Sequence, residues 1–379
     1  MTNKALKKVI AVVGPTASGK SGLAVNLAKA LDGEIISGDS MQIYKGMDIG
    51  TAKVTREECQ GIAHHLLDLR LPAESFSAAE YQKLARACIA DIFHRGKTPI
   101  LAGGTGLYID SALYNYEYNK EEGEEAEANS LREALRVEAA KLGTIELWQK
   151  LYQVDPQSAK RLHPNDTKRI IRALEYEKLH GKPISENVQA YKAPRLIYPT
   201  IFFGLTMFRQ ELYQRINLRV DQMTAAGLAA EVLALQKEGL KLDSQAGQAI
   251  GYKQLLLFLE GTYTLEEAIE AIKQESRRYA KRQLTWFRRN PHIFWLDGKK
   301  MQEERSAEIL AAFLQEREGV SESTEEGSGW GSDKIRDFLH QMGMAFLDHI
   351  GTAKNHLGNA KSGNTKTDAA ADQSACPGD

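Results

Sequence analysis

Eight residues near the start of the chain, Gly14-Pro-Thr-Ala-Ser-Gly-Lys-Ser21, have the types and spacing of G-x-x-x-x-G-K-[ST], a loop that cradles a phosphate chain. Its backbone N–H groups and the N-terminus of the helix that follows attract anionic oxygens. Gly14, Pro15, Thr16, Ala17, Ser18 and Gly19 are expected to form the cradle, with Lys20 neutralising the distal phosphates and Ser21 ligating Mg2+. Mg2+ keeps few protein ligands and leans on the substrate's phosphates, so one hydroxyl is a sufficient protein share. The motif leaves open a kinase, an NTPase motor, or an enzyme that uses the loop for a different diphosphate.

Two more turns carry candidate chemistry. Asp39 in "SGDSMQIYKG" is an acid at the mouth of a strand, although Asp and Ser favour Asx turns for their own sake. Thr105 in "GGTG" sits where a Gly-rich break opens another strand. A phosphoryl-transfer enzyme usually places a metal-organising acid at the end of such a later strand. Its replacement by "GGTG" argues against ordinary phosphoryl transfer. His64 and His65 are adjacent, and adjacent strand residues point to opposite faces, so a packed or hydrogen-bonded pair is expected instead of a metal site. Arg277, Arg278, Lys281, Arg282, Arg288 and Arg289 are interleaved with Tyr279, Trp286 and Phe287. That pattern suits phosphate-backbone contact, while a solvated helix face is the plainer alternative. Lys168, Arg169 and Arg172 form a second, smaller basic cluster.

The elements that position these residues follow from hydrophobic periodicity. "KKVIAVVGPTASGKSGLAVNLAKAL" reads as a buried strand, a turn and a helix with Leu23, Leu27, Ala30 and Leu31 on one face. "GEIISGDSMQIY" and "KTPILAGGTGLYI" supply a second and a third strand, with the helical "SAAEYQKLARACIADIFHRG" between them. Strands alternating with helices predict a parallel α/β sheet, whose ligands sit outside the carboxyl ends of its strands. The phosphate loop, Asp39 and Thr105 all fall at that edge.

The expected fold is a P-loop NTPase-like parallel sheet flanked by helices, formed by residues 1–114 and 199–318 and interrupted by an all-helical insertion at 115–198. The insertion opens with the acidic "EYNKEEGEEAEANS", read as a solvated linker or helix entry. Its helix "NDTKRIIRALEYEKLHG" is capped by Asn165 or Asp166 and stopped at Gly181. A long amphipathic helix capped by Thr264 and the strand "HIFWLD" complete the core. Beyond it come a linker, an amphipathic helix over 332–350 capped by Ser332 and Gly351, and a tail expected to be disordered.

Composition narrows the class. The 379 residues are 42% hydrophobic and 26% charged with a net charge of −1, so nucleic-acid binding would need segregated patches on a neutral body. Cys59, Cys88 and Cys376 form no C-x-x-C pair, which excludes a zinc site built on cysteine pairs. No apolar run is long enough to span a membrane, and "VIAVV" is too short for a signal-peptide core. A cytoplasmic monomer is expected.

Taken in order, "GPTASGKS", "SGDSMQIYKGMDIGTAK", "HHLLD", "LAGGTGLYI", "LHPND", "RINLRVDQM", "AIGYKQ" and "KRQLTWFRR" resemble the tRNA dimethylallyltransferase family, also called tRNA isopentenylpyrophosphate transferase, over residues 7–300. The resemblance implies transfer of a five-carbon prenyl group from dimethylallyl diphosphate to N6 of the adenosine just 3′ of the anticodon, with Mg2+. It implies Asp39 as general base, and Arg219 and Thr105 beside the leaving diphosphate. Asp39, Ser40, Met41 and Gln42 would meet the base, with Gln42 reading adenine through its amide. Thr105, Lys168, Arg169, Ile170, Ile171, Arg172 and the segment from Gln245 to Gly251 would contact tRNA, with Arg277, Arg278, Lys281 and Arg282 gripping its stem. Two other enzymes remain as alternatives, an adenylate isopentenyltransferase acting on free AMP or ADP and a small-molecule P-loop kinase. A tRNA-binding module with a degenerate site is a third.

Overall fold

The computed structural model describes residues 6–118, 124–186, 195–318 and 332–345. Its strands are β1 (Val9–Val13), β2 (Gly33–Ser37), β3 (His64–His65), β4 (Thr98–Gly103), β5 (Thr200–Thr206) and β6 (Ile293–Asp297). All pair in parallel in the order β3-β2-β4-β1-β5-β6. The two-residue β3 makes "TPILAG" the fourth strand in chain order, where the hydrophobic pattern alone suggests the third.

β1 occupies the middle of the sheet because "VIAVV" is apolar at every position. Val9, Ala11 and Val13 point into the core on one face; Ile10 and Val12 point into the core on the other. The second face is covered by α1 (Lys20–Ala30), through Leu23 and Leu27. The first is covered by α3 (Ala78–His94), which follows the one-turn α2 (Arg56–Cys59), and by α4 (Gly106–Leu113), with Tyr81 and Tyr108 stacked 4.1 Å apart.

Between α4 and β5 the chain leaves the sheet and forms α5 (Glu124–Leu142), α6 (Thr144–Val154), α7 (Pro156–Arg161) and α8 (Thr167–His180). Leu135, Leu147, Leu151, Ile170 and Leu174 give these helices a core of their own. The outgoing and returning chains pair at their base: Ile197 N–H donates to Leu113 C=O (2.9 Å) and Asn115 N–H to Arg195 C=O (3.0 Å). Much of the acidic run is thus the first turns of α5, and residues 119–123 lie outside those described. Asp166 stands at the N-cap of α8 without a side-chain cap bond, and Gly181 closes it with φ +64°.

After β5 come α9 (Arg209–Ala225), α10 (Leu228–Lys237), α11 (Tyr252–Leu259) and α12 (Leu265–Phe287). Thr264 and Glu267 form a full capping box at the start of α12. β6 is followed by α13 (Glu304–Glu318) and α14 (Ser332–Gln341).

α14 corrects the expected helix over 332–350. It ends at Gln341, because Gly343 takes a left-handed φ of +64° and Met344 C=O then accepts from Asp297 N–H at the end of β6 (3.0 Å). Ile335, Leu339 and Met344 are buried in the core of the second face, and Phe338 stacks on Phe313 of α13 at 3.9 Å. Residues 346–379, including Gly351, the expected tail and Cys376, lie outside the described residues, as does the linker 319–331. Among the described residues no helix is long and apolar enough to cross a membrane.

Candidate active site

The carboxyl ends of β1, β2 and β4 bring the sequence-predicted loops together. At the end of β1, Gly14 has φ +141°, and a Cβ there would lie 2.4 Å from the carbonyl oxygen of Leu205 on β5. Only glycine fits that approach. Ser18 Oγ and Lys20 Nζ both donate to the Pro15 carbonyl, at 2.8 and 2.6 Å, which closes the loop before α1 begins. Burial lowers the pKa of the Lys20 ammonium from 10.5 to about 7; nearby Arg219 adds to the effect and Asp39 opposes it.

Two arginines of α9, one turn apart, brace the loop from outside. Arg219 Nη1 donates to Thr16 Oγ1 (3.2 Å) and Arg215 Nε to the Ala17 carbonyl (3.1 Å). Burial lowers the pKa of Arg219 also, while Asp39 pulls it back up.

Asp39, just past β2, uses its two oxygens differently. Oδ1 accepts from Met41 N–H at 2.9 Å, an Asx turn, whereas Oδ2 accepts no hydrogen bond among the described residues. Thr105, past β4, locks onto the same turn: its Oγ1 accepts from Ser40 N–H (3.1 Å) and donates to Ser40 Oγ (3.2 Å).

A cavity of about 840 Å3 opens over this edge, with Thr16, Asp39, Ser40, Met41 and Arg219 on its floor. Lys168 and Ile171 from α8 also line it, as do Gln245, Gly251 and, from α12, Arg282. The cavity therefore lies between the sheet edge and the helical insertion.

Other predicted contacts fall elsewhere. Ile170 is buried inside the helical insertion; Arg169 pairs with Asp166 (3.0 Å) and Arg172 with the buried Glu175, both away from the cavity. A run of five successive helical residues cannot face one way. The basic run on α12 divides for the same reason. Arg282 reaches the cavity, whereas Lys281 and Arg288 line a separate groove of about 590 Å3. Arg277 donates to Asn217 (2.6 Å), Arg278 pairs with Glu275 (2.6 Å), and Arg289 lies over the Trp286 ring at 5.4 Å.

Gln42, the predicted amide reader, and Gln245, of the predicted tRNA-contacting segment, are both engaged by the protein itself. Gln42 accepts from Ser37 Oγ (3.1 Å) and donates to the Thr51 and Ala52 carbonyls, and it does not line the cavity. Gln245 bridges the Phe76 N–H and C=O at 3.1 and 3.0 Å, although it does line the cavity. His64 and His65 take separate partners, the Ile62 carbonyl (2.9 Å) and Glu34 (2.7 Å).

Several cavity residues carried no sequence signal. Arg132 and Arg136 of α5 add cations to the insertion wall, and their i,i+4 spacing was the one available hint. Tyr279 lines the cavity; burial, then the charge of Asp39, pushes its pKa up to about 12. Glu231 accepts from the N–H groups of Asp48, Ile49 and Gly50 and from the Tyr252 hydroxyl (2.6 Å), so it holds the loop that bears Gly50 and Thr51 at the cavity rim.

Mg2+ fits the residues present. Ser21 is exposed at the second position of α1, and no hydrogen bond among the described residues occupies its hydroxyl. No cluster of three acidic, histidine or cysteine side chains competes for a metal among the described residues. That donor set suits an ion held mainly by substrate phosphates.

A phosphate loop and an acid at one edge of a parallel sheet, sharing a cavity with residues of a helical insertion, define the class: a P-loop α/β enzyme. The chain belongs to the IPP transferase family, whose model matches residues 42–290. It is 54% identical over 291 residues to the tRNA dimethylallyltransferase of Geobacillus thermodenitrificans, covering 77% of this chain and 90% of that protein. The tRNA dimethylallyltransferase of Bacillus subtilis is 50% identical over 295 residues, or 78% and 92% of the two chains. Among solved structures, the full-length tRNA isopentenylpyrophosphate transferase of Bacillus halodurans is 45% identical, with a TM-score of 0.59, over 82% of this chain and 98% of that one. A eukaryotic dimethylallyltransferase acting on tRNA gives 29% identity and a TM-score of 0.69, over 89% and 85%.

Proposed function

We propose that this chain transfers the dimethylallyl group of dimethylallyl diphosphate to N6 of the tRNA adenosine just 3′ of the anticodon, releasing diphosphate. The observation that carries the reading is the shared cavity. Asp39 and the phosphate-loop residue Thr16 face it from the sheet edge, and Lys168 and Ile171 face it from the insertion. A free nucleotide needs no such roof, which disfavours the adenylate isopentenyltransferase reading.

The chemistry follows from the side chains. The lone pair of adenine N6 is delocalised, so its attack needs proton removal. In this reading Asp39, through the Oδ2 that accepts no hydrogen bond among the described residues, accepts that proton as the N6–C bond forms and the allylic C–O bond breaks. The departing diphosphate gathers negative charge, which the loop N–H groups, Lys20 and Arg219 stabilise; such preorganised donors are worth roughly 2.7–4 kcal/mol each in other enzymes. Ser21 would hold Mg2+, which would supply further neutralisation of that charge. Thr105 acts through Ser40, keeping the Asp39 turn in place. The target base must leave its stack to enter. Arg282 and Lys168 at the cavity wall are placed for the RNA backbone, and Gln42 must give up a protein partner to read the base. We further propose a cytoplasmic monomer.

The direct test is incubation with Mg2+, labelled dimethylallyl diphosphate and either unmodified tRNA or AMP. Label on tRNA alone is expected. Label on AMP moves the function to the free-nucleotide reading, and ATP-dependent phosphate transfer without prenylation restores the kinase.

A further inference from the structure

Gln283 of α12 belongs to none of the contacts described so far. Its residue is only 5% exposed, and both ends of its amide are used. Oε1 accepts from Thr16 N–H at 2.9 Å, and Nε2 donates to the Gly104 carbonyl at 2.9 Å. The partners are a backbone donor and a backbone acceptor, so the amide has one satisfied orientation. A Cβ at Gly104 would lie 2.1 Å from Nε2, so any side chain there would displace this amide.

The two bonds join the halves of the site. Thr16 is held through its hydroxyl by Arg219 and through its N–H by Gln283. Gly104 precedes Thr105, which fixes Ser40 beside Asp39. We propose that Gln283 is a positioning residue for prenyl transfer, a buried strut that sets the spacing between the diphosphate loop and the Asp39 turn. The proposal rests on the function given above. Geometry of this kind matters because misplacement by about 1 Å can cost about 100-fold in rate.

The test uses Gln283→Leu and Gln283→Glu in the full-length protein. Gln283→Leu removes both bonds, and kcat is expected to fall about 100-fold, with the tRNA KM and the salt dependence of tRNA binding unchanged. Gln283→Glu supplies the sharper readout. A neutral glutamic acid mimics the amide, accepting from Thr16 and donating to Gly104, whereas its carboxylate repels the Gly104 carbonyl. The ratio of its kcat to that of the unmodified protein should therefore rise as pH falls from 8 to 5.5. A role in folding alone predicts a flat ratio and a normal kcat per folded molecule. Either of those results, or an equal loss of tRNA affinity in both variants, overturns the proposal. Calorimetric titration of both variants with dimethylallyl diphosphate, without tRNA, separates the two readings. If the unmodified protein prenylates no tRNA, the assigned function fails, yet donor binding weakened in both variants still supports the strut and unchanged donor binding still refutes it.

Discussion

Arg219 Nη1 lies 3.2 Å from Thr16 Oγ1 across 203 residues of sequence. That contact brings a cation from the second part of the core onto the phosphate loop at the start of the chain. It also puts the guanidinium within the electrostatic reach of both Lys20 and Asp39.

Asp39 lines the cavity and holds a turn with Oδ1, while Oδ2 accepts no hydrogen bond among the described residues. Asp39→Asn keeps an acceptor for the Met41 N–H but removes the base. It should lower kcat by about 100- to 10,000-fold, with tRNA affinity and thermal stability little changed. Asp39→Ala, which also loses the turn, should be no more active and less stable. A near-normal kcat for the asparagine variant, with losses of activity and stability confined to the alanine variant, would mark Asp39 as a turn residue only.

The division of basic residues is open to titration. Arg282→Ala and Lys168→Ala should each weaken tRNA binding and reduce the slope of log K against log salt by about 0.7–0.9. Lys281→Ala, on the far groove, should leave that slope unchanged. An equal reduction at Lys281 would mean that the RNA path crosses α12 into the second groove.

The C-terminal helix is part of the fold in this structure. Leu339 is buried against α13 and the sheet, so Leu339→Ala should destabilise the protein by about 2–5 kcal/mol, measured by urea unfolding. Prenyl transfer at a temperature where the variant stays folded should be unaffected. A change within experimental error would show that α14 packs only loosely.

Glu34 anchors the β2–β3 edge through Arg95, Lys97 and His65. The Arg95 hydrogen bonds, chiefly, lower its pKa from 4.5 to about 2 against the opposing effect of burial. A carboxylate depressed in the folded state stabilises above its unfolded pKa, and that contribution is lost as pH falls through the folded value. Glu34→Gln should therefore be less stable than the unmodified protein at pH 7, and the gap should narrow steadily below pH 4.5. Urea midpoints at a series of pH values would show it; a gap independent of pH would refute the ionic anchor.

Local pattern was enough for the parallel α/β core. An all-apolar β1, a Gly-rich turn and an amphipathic α1 occupy consecutive residues, and the phosphate loop is a local backbone shape that its own sequence encodes. The position of Asp39 and Thr105 at the same edge also followed, because every strand of a parallel sheet ends on the same side. The substrate came from the resemblance carried by the ordered motifs, since no spacing in one chain names an acceptor. What only the tertiary structure decided was the direction and the partner of individual side chains. A run such as Lys168 to Arg172 or Arg277 to Arg282 turns through more than one helix face, so composition could not say that Lys168 and Arg282 enter the cavity while Arg172 and Lys281 do not. The engagement of Gln42 and Gln245, the docking of α14 and the strut at Gln283 were equally beyond the sequence. Nearly all are fixed by partners that fold brings together from distant parts of the chain, and no local periodicity records them.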